Sequence, residues 1–232
     1  MTTVITEFNL YKIKQEILNK FRWGFNSFDT QSRITETTTL FNGDNSETQF
    51  LLSATRMSYV KSVSVGGSPL DFGSAWDIEW RGADIGKVTF TSAPASGTDN
   101  ISIVWGQINV GSQNFVHPDF PRTDLGTQSY PRVGFAINFR KAPGGLGGGQ
   151  AVIANDGLIQ IKVVGISTYD IDSITTNIEN WIIQNSKNFY YFNYIRPEVI
   201  QNYDSYDDNT EEANYKILEF MIPRKLQVVT YT

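Results

Sequence analysis

Hydrophobic and polar positions change their rhythm three times along the chain. Leu10, Ile13, Ile17, Leu18 and Phe21 recur at helical spacing and predict a first helix, capped by Thr6 and running through Arg22. Glu7 in its first turn suits the helix dipole, and Gly24 is the expected stop. Lys12, Lys14, Glu16, Asn19 and Lys20 fall on the opposite, polar face. Such a helix either covers the domain's own sheet or docks on a neighbouring subunit. Phe25 to Glu36 reads as a polar connector.

From Thr37 to Ile108 the apolar runs are short and alternate with polar residues. Phe50 and Leu52, Tyr59 to Val65, Trp76 to Trp80, Lys87 to Thr91 and Ile101 to Trp105 predict strands. Gly66, Gly67 and Pro69, then Pro94 to Gly97, supply turns. Many short strands at near-regular spacing indicate an antiparallel sandwich or barrel of roughly seventy residues. A linker with Pro118, Pro121 and Pro131 follows.

The last hundred or so residues, from Tyr130 to Tyr231, read strand, strand, helix, strand. Val133, Phe135, Ile137 and Phe139 alternate with small or polar residues, and Ala142 to Gly149 is a glycine-dense break. Leu158 to Ile166 is a second strand. Asp170, Asp172 or Ser173 caps a helix whose apolar face is Ile171, Ile174, Ile178, Trp181 and Ile182. Tyr215 to Ile222 is a last strand with no cleanly polar face, which places it inside the sheet. The expected fold class is α+β: an N-terminal helix and a C-terminal β-β-α-β sheet domain, residues 1–36 plus 109–232, with an all-β sandwich of residues 37–108 inserted.

Composition narrows the chemistry. The net charge of −5 comes without any Lys/Arg cluster, which argues against nucleic acid as the main ligand. The absence of cysteine excludes disulfides, thiolate zinc sites and cysteine nucleophiles. Met1 to Glu7 lacks the basic and apolar regions of a secretory signal, and no window is apolar enough to span a membrane. Aromatic residues make up 13%, which fits either a well-filled β core or a surface that meets another protein.

No catalytic, cofactor or metal residue is assigned. His117, the one histidine, sits beside Pro118 with no nucleophile elbow near it. Gly144, Gly145, Gly147, Gly148 and Gly149 lack the Lys-Ser/Thr ending of a phosphate loop and read as a hairpin tip. Asp204, Asp207, Asp208, Glu211 and Glu212 form an acidic loop without the calcium-binding order, leaving solvation or an ion at 204–212 open. Trp76, Trp80 and Trp105 would form either a sugar-stacking platform or, as their alternation suggests, core. A carboxylate hydrolase remains a competing reading, because carboxylate separation is a three-dimensional quantity.

The order of a lead helix, Tyr130-Pro131-Arg132-Val133 opening a strand, a long hairpin, a helix and a final strand resembles the tail terminator (tail completion) proteins of tailed viruses. The resemblance covers the first helix and the last hundred residues or so. The stretch Gly86 to Thr98 is similar in texture to small sandwiches of neck, baseplate and fibre proteins. The smallest members of the family lack such an insertion. The resemblance implies a non-enzymatic virion protein of the neck, assembled in the host cytoplasm. It implies a hexameric homo-oligomeric ring that caps the tail tube and joins it to the head–tail connector. Sheath or fibres would be further neighbours, no membrane or specific nucleic-acid binding is involved, and DNA would pass through the ring. The Ala142 to Gly149 tip and the acidic loop would be contact elements. The alternatives are another tail, baseplate or fibre-attachment protein, or a carbohydrate-binding β module.

Overall fold

A computed structural model describes residues 9–52, 56–80, 86–118, 130–146, 150–191, 195, 201–205 and 214–230; at 139–146, 150–156, 201–205 and 223–230 the description is of the backbone. The fold is mixed α+β, as expected. The chain divides into two compact units, Gln15–Pro118 and Met1–Lys14 with Asp119–Thr232.

Helix α1 spans Leu10–Phe25. Asn9 caps it, and the expected cap Thr6 and first-turn Glu7 lie outside the described residues. The Asn9 side-chain oxygen accepts from Lys12 N at 3.1 Å and its carbonyl from Ile13 N at 3.1 Å. The helix also runs through Gly24 into a short 3₁₀ turn, Asn26–Phe28. Phe21, Phe25 and Phe28 stack in sequence, with ring centroids 4.7 and 5.8 Å apart, and that stripe outweighs the roughly 1 kcal/mol cost of one glycine. The expected polar connector is therefore structured. Asp29 accepts hydrogen bonds from the Gln31 and Arg33 amides and pairs with the Arg33 guanidinium at 2.6 Å, both side chains buried.

From Gln15 onward the helix belongs with the β unit rather than with the C-terminal sheet. The reason lies in its polar residues. Gln15 accepts from Trp80 N, Asn19 bonds Val60, and Arg22 donates to the carbonyls of Ser58 and Val116. Glu16 and Asn19, on the expected solvent face, are buried, with Lys20 Nζ 3.6 Å from Glu16.

The β unit contains two sheets. One has the order β1-β7-β3-β4, with β1 Ile34–Gly43, β3 Met57–Val65, β4 Ser68–Leu70 and β7 Gly97–Ile108. The other has the order β2-β6-β5, with β2 Gln49–Leu51, β5 Trp76–Trp80 and β6 Gly86–Phe90. Phe41 of the first sheet meets Phe50 of the second at 5.3 Å, and Phe50 meets Phe90 edge-on at 5.4 Å. Inward residues alternate as the sequence pattern requires: Trp76, Ile78 and Trp80, and Ile101, Ile103 and Trp105, are all buried. Gly66 and Gly67 turn β3 into β4 with φ of 57° and 80°, a left-handed geometry that costs glycine nothing. Strand β8, Val116–His117, ends the unit.

In the C-terminal unit, β9 Arg132–Leu146 and β10 Gln150–Gly165 form a long antiparallel hairpin. Helix α2 is Thr168–Asn185, and the strand order is β11-β12-β10-β9, with β11 Gln201–Ser205 and β12 Asn214–Thr230. Strand β12 does lie inside the sheet, between β10 and β11. Helix α2 starts at Thr168 after Ser167, whose carbonyl accepts from Ile171 N at 3.2 Å; the expected caps Asp170, Asp172 and Ser173 lie within it. Its buried residues Ile171, Ile174, Thr175, Ile178 and Ile182 pack on β10 and β12. Register sets Ile159 opposite Phe220 and Ile137, and Ile161 opposite Leu218 and Phe135, all buried. Fully burying such a side chain stabilises by about 1.5–3 kcal/mol.

Candidate functional site

The strands of the C-terminal sheet outrun their helix. Helix α2 has 18 residues, about 27 Å at the helical rise. Strand β12 has 17 residues, about 56 Å at the strand rise. One such helix covers about half of such a strand. The register accordingly continues past Gly157, from Asn155 opposite Lys225 and Lys141 to Gln150 opposite Thr230 and Leu146. Between the two halves the β10–β12 register shifts: Asn155 and Gly157 of β10 face Lys225 and Ile222 of β12. The extra residue therefore falls on β12 at Pro223 and Arg224. Proline has no N–H for a ladder, so a bulge is where a strand tolerates it. The outer half is thus a three-stranded ribbon, set off by a bulge and running out to Leu146, Gln150 and Thr230.

The expected glycine break at Ala142 does not occur. Ala142, Gly144 and Gly145 are β9 residues opposite Ala154, Val152 and Ala151. Register with a long partner strand overrides the low β propensity of glycine. Gly147, Gly148 and Gly149 lie outside the described residues. The same is true of Asp207, Asp208, Glu211 and Glu212, whereas Asp204 belongs to β11 opposite Lys216.

Near α2 the sheet is tied by polar pairs. Lys216 Nζ meets Asp172 of α2 at 3.2 Å, anchoring the helix to β12. On the register-matched positions of the other face, Gln160 donates to the buried Glu219, and Lys162 Nζ lies 4.2 Å from the centre of the Tyr215 ring. The solvent side of α2 carries Tyr169, Ser173, Thr176, Asn180 and Ile183 in one line, with Tyr169 81% and Ile183 57% exposed. Exposed aromatic and aliphatic groups framing small polar ones suit contact with another macromolecule. The helical period made α2 readable, but nothing in the sequence marked the length of β12 beyond Ile222.

Other sequence candidates resolve differently. Trp76, Trp80 and Trp105 are core residues. Trp76 Nε1 donates to the Leu70 carbonyl and Trp105 Nε1 to Thr39, so none offers a face for a sugar. The β unit has an uncharged cleft of about 320 Å³ between Leu70, Phe90 and Pro94, rimmed by Ser74, Thr91 and Ser92. His117 is half-buried in β8. Among the described residues no three His, Cys, Asp or Glu side chains gather to hold a metal ion. No described helix is long and apolar enough to cross a membrane.

No protein-family model, curated protein or solved structure matches the chain.

Proposed function

We propose that the chain is a structural virion protein, a tail terminator of the neck. On this reading it forms a hexameric ring on the last ring of the tail tube, stops tube growth and offers a surface to the head–tail connector. One observation carries the reading: the β9–β10–β12 ribbon continues well past the part of the sheet that α2 can cover. A three-stranded ribbon needs a hydrophobic face or a covering element to be stable, and a partner molecule supplies such a cover. The exposed line from Tyr169 to Ile183 on α2 supplies a second contact surface on the same unit. A ring formed by heterologous contacts presents one face to the tube and another to the neck.

The β unit, Gln15–Pro118, has its own core and its own helix segment, and serves as a brace or projection on the ring. The site chemistry belongs to assembly rather than to turnover.

The test is tube polymerisation. Tube subunits from the virus that encodes this chain are polymerised with and without it and viewed by negative stain. Shorter tubes bearing a cap at one end support the reading. Decoration along the tube wall favours a sheath or fibre-attachment role instead. A monomer that leaves tube length unchanged refutes both.

A further inference from the structure

Each strand of the ribbon has two backbone edges, and β10 is paired on both along its length. Strand β11 pairs with β12 from Tyr215 to Glu219 only. From Phe220 to Thr230 the outer edge of β12 has no neighbouring strand among the described residues. Such an edge offers a row of donors and acceptors, and proteins usually blunt it with charge, proline or a bulge. Here the blunting residues Pro223, Arg224 and Lys225 gather at the bulge. Beyond them, Leu226-Gln227-Val228-Val229-Thr230 carries no charge, glycine or proline and is rich in β-formers. On its other side the sheet order gives β9 only β8, and that two-residue strand leaves most of the fifteen-residue edge without a neighbouring strand among the described residues. The two edges lie level. Leu146 and Thr230 both face Gln150, Gly144 and Val228 both face Val152, and Ala142 and Leu226 both face Ala154.

We infer that the outer edge of β12, along Leu226–Thr230, takes the outer edge of β9 from a second copy of this chain, joining neighbouring ribbons into one sheet. The inference deepens the ring reading above and rests on it. Level edges on opposite sides of one ribbon are what identical copies in a single plane require. Strand direction then follows. β9 and β12 are each antiparallel to β10, so they run parallel to each other. Rotation about a ring axis preserves direction, so the joint between copies is parallel. A two-fold joint of β12 with β12 would be antiparallel instead.

Cysteine cross-linking distinguishes these outcomes, because the chain has no thiol of its own. The full chain carries Gly144→Cys with Val228→Cys, or Ala142→Cys with Leu226→Cys. Within one copy each pair is separated by β10, at about two strand spacings, or ~9.6 Å. That exceeds the ~7 Å Cα limit for a disulfide, so any bridge must join two copies. The reduced variants are first checked for unchanged melting, then oxidised in the presence of tail tubes and run without reductant. The expected result is a ladder ending at the closed ring, lost in every single-cysteine variant. A dimer from Val228→Cys or Leu226→Cys alone shows two-fold pairing and overturns the inference. Rings seen by negative stain without a ladder from either pair overturn it while leaving the neck reading standing. No assembly under any condition overturns both.

Discussion

Asn19 and Val60 complete one another. The Asn19 amide donates to the Val60 carbonyl at 2.8 Å, and its oxygen accepts from Val60 N at 2.8 Å. A side chain of α1 thus takes the place of a neighbouring strand at a point where β3 slips register against β7, between Val60 and Ser62. Both side chains are buried. Asn19→Ala leaves a buried donor and a buried acceptor of Val60 unpaired, at about 1–3 kcal/mol each. The expected loss is about 2–4 kcal/mol in denaturant unfolding, and Asn19→Asp, which keeps the acceptor alone, falls between.

Gly106 faces the ring of Tyr59 across β7 and β3. A Cβ at Gly106 would stand 2.8 Å from Ile34 Cγ2 and closer still to the phenol ring. Tyr59 is buried, and that burial, with Glu36 adding to it, pushes its phenol up to about 12. Gly106→Ala is expected to destabilise by about 1–3 kcal/mol through overpacking. Thermal melting of the single variant and of Gly106→Ala with Tyr59→Leu reads the cause. Partial recovery in the double variant is expected; equal or greater loss contradicts the steric account.

The buried Asp29–Arg33 pair holds the turn between α1 and β1. Burial lowers the Arg33 pKa, with Asp29 opposing that effect. Asp29→Ala takes the carboxylate from the buried guanidinium and removes the acceptor of the Arg33 amide, so a loss of about 3–5 kcal/mol is expected. Replacing both partners by apolar residues is expected to cost less than Asp29→Ala alone, as unfolding curves would show.

Asp44 accepts hydrogen bonds from the Glu47 amide and from the hydroxyl and amide of Ser46. The Glu47 bond foremost, then those of Ser46, hold its carboxyl at about 2, below its ordinary 3.8. A depressed folded-state pKa favours the folded chain above the unfolded-state value. That advantage is therefore full above pH 3.8 and fades as pH falls toward 2. Carboxyl-carbon NMR is expected to place the midpoint near 2, and Ser46→Ala is expected to raise it. An unshifted midpoint in Ser46→Ala contradicts the assignment.

Where one period governed, the sequence was readable. Ile171, Ile174, Ile178 and Ile182 gave α2, and Trp76, Ile78 and Trp80 gave β5, because a single buried face sets the spacing. It was misleading where distant partners decide. Glu16 and Asn19 sit at polar positions of a helical wheel, yet both are buried, and the Val60 that pairs with Asn19 is 41 residues away. Gly24 and Gly144 looked like stops, but a phenylalanine stack and a paired strand carry the backbone through them. The ribbon was missed because its pairing partners lie far apart in the chain, with Val152 opposite Val228. No local pattern records that register.

On the proposed reading this chain closes into a ring at the end of a tail tube. Sedimentation velocity of the purified chain with tail tubes, followed by class averaging of tube ends in negative stain, measures it most directly. The account predicts a rotationally symmetric six-fold cap on one end of each tube. Monomeric chain beside uncapped tubes would contradict it.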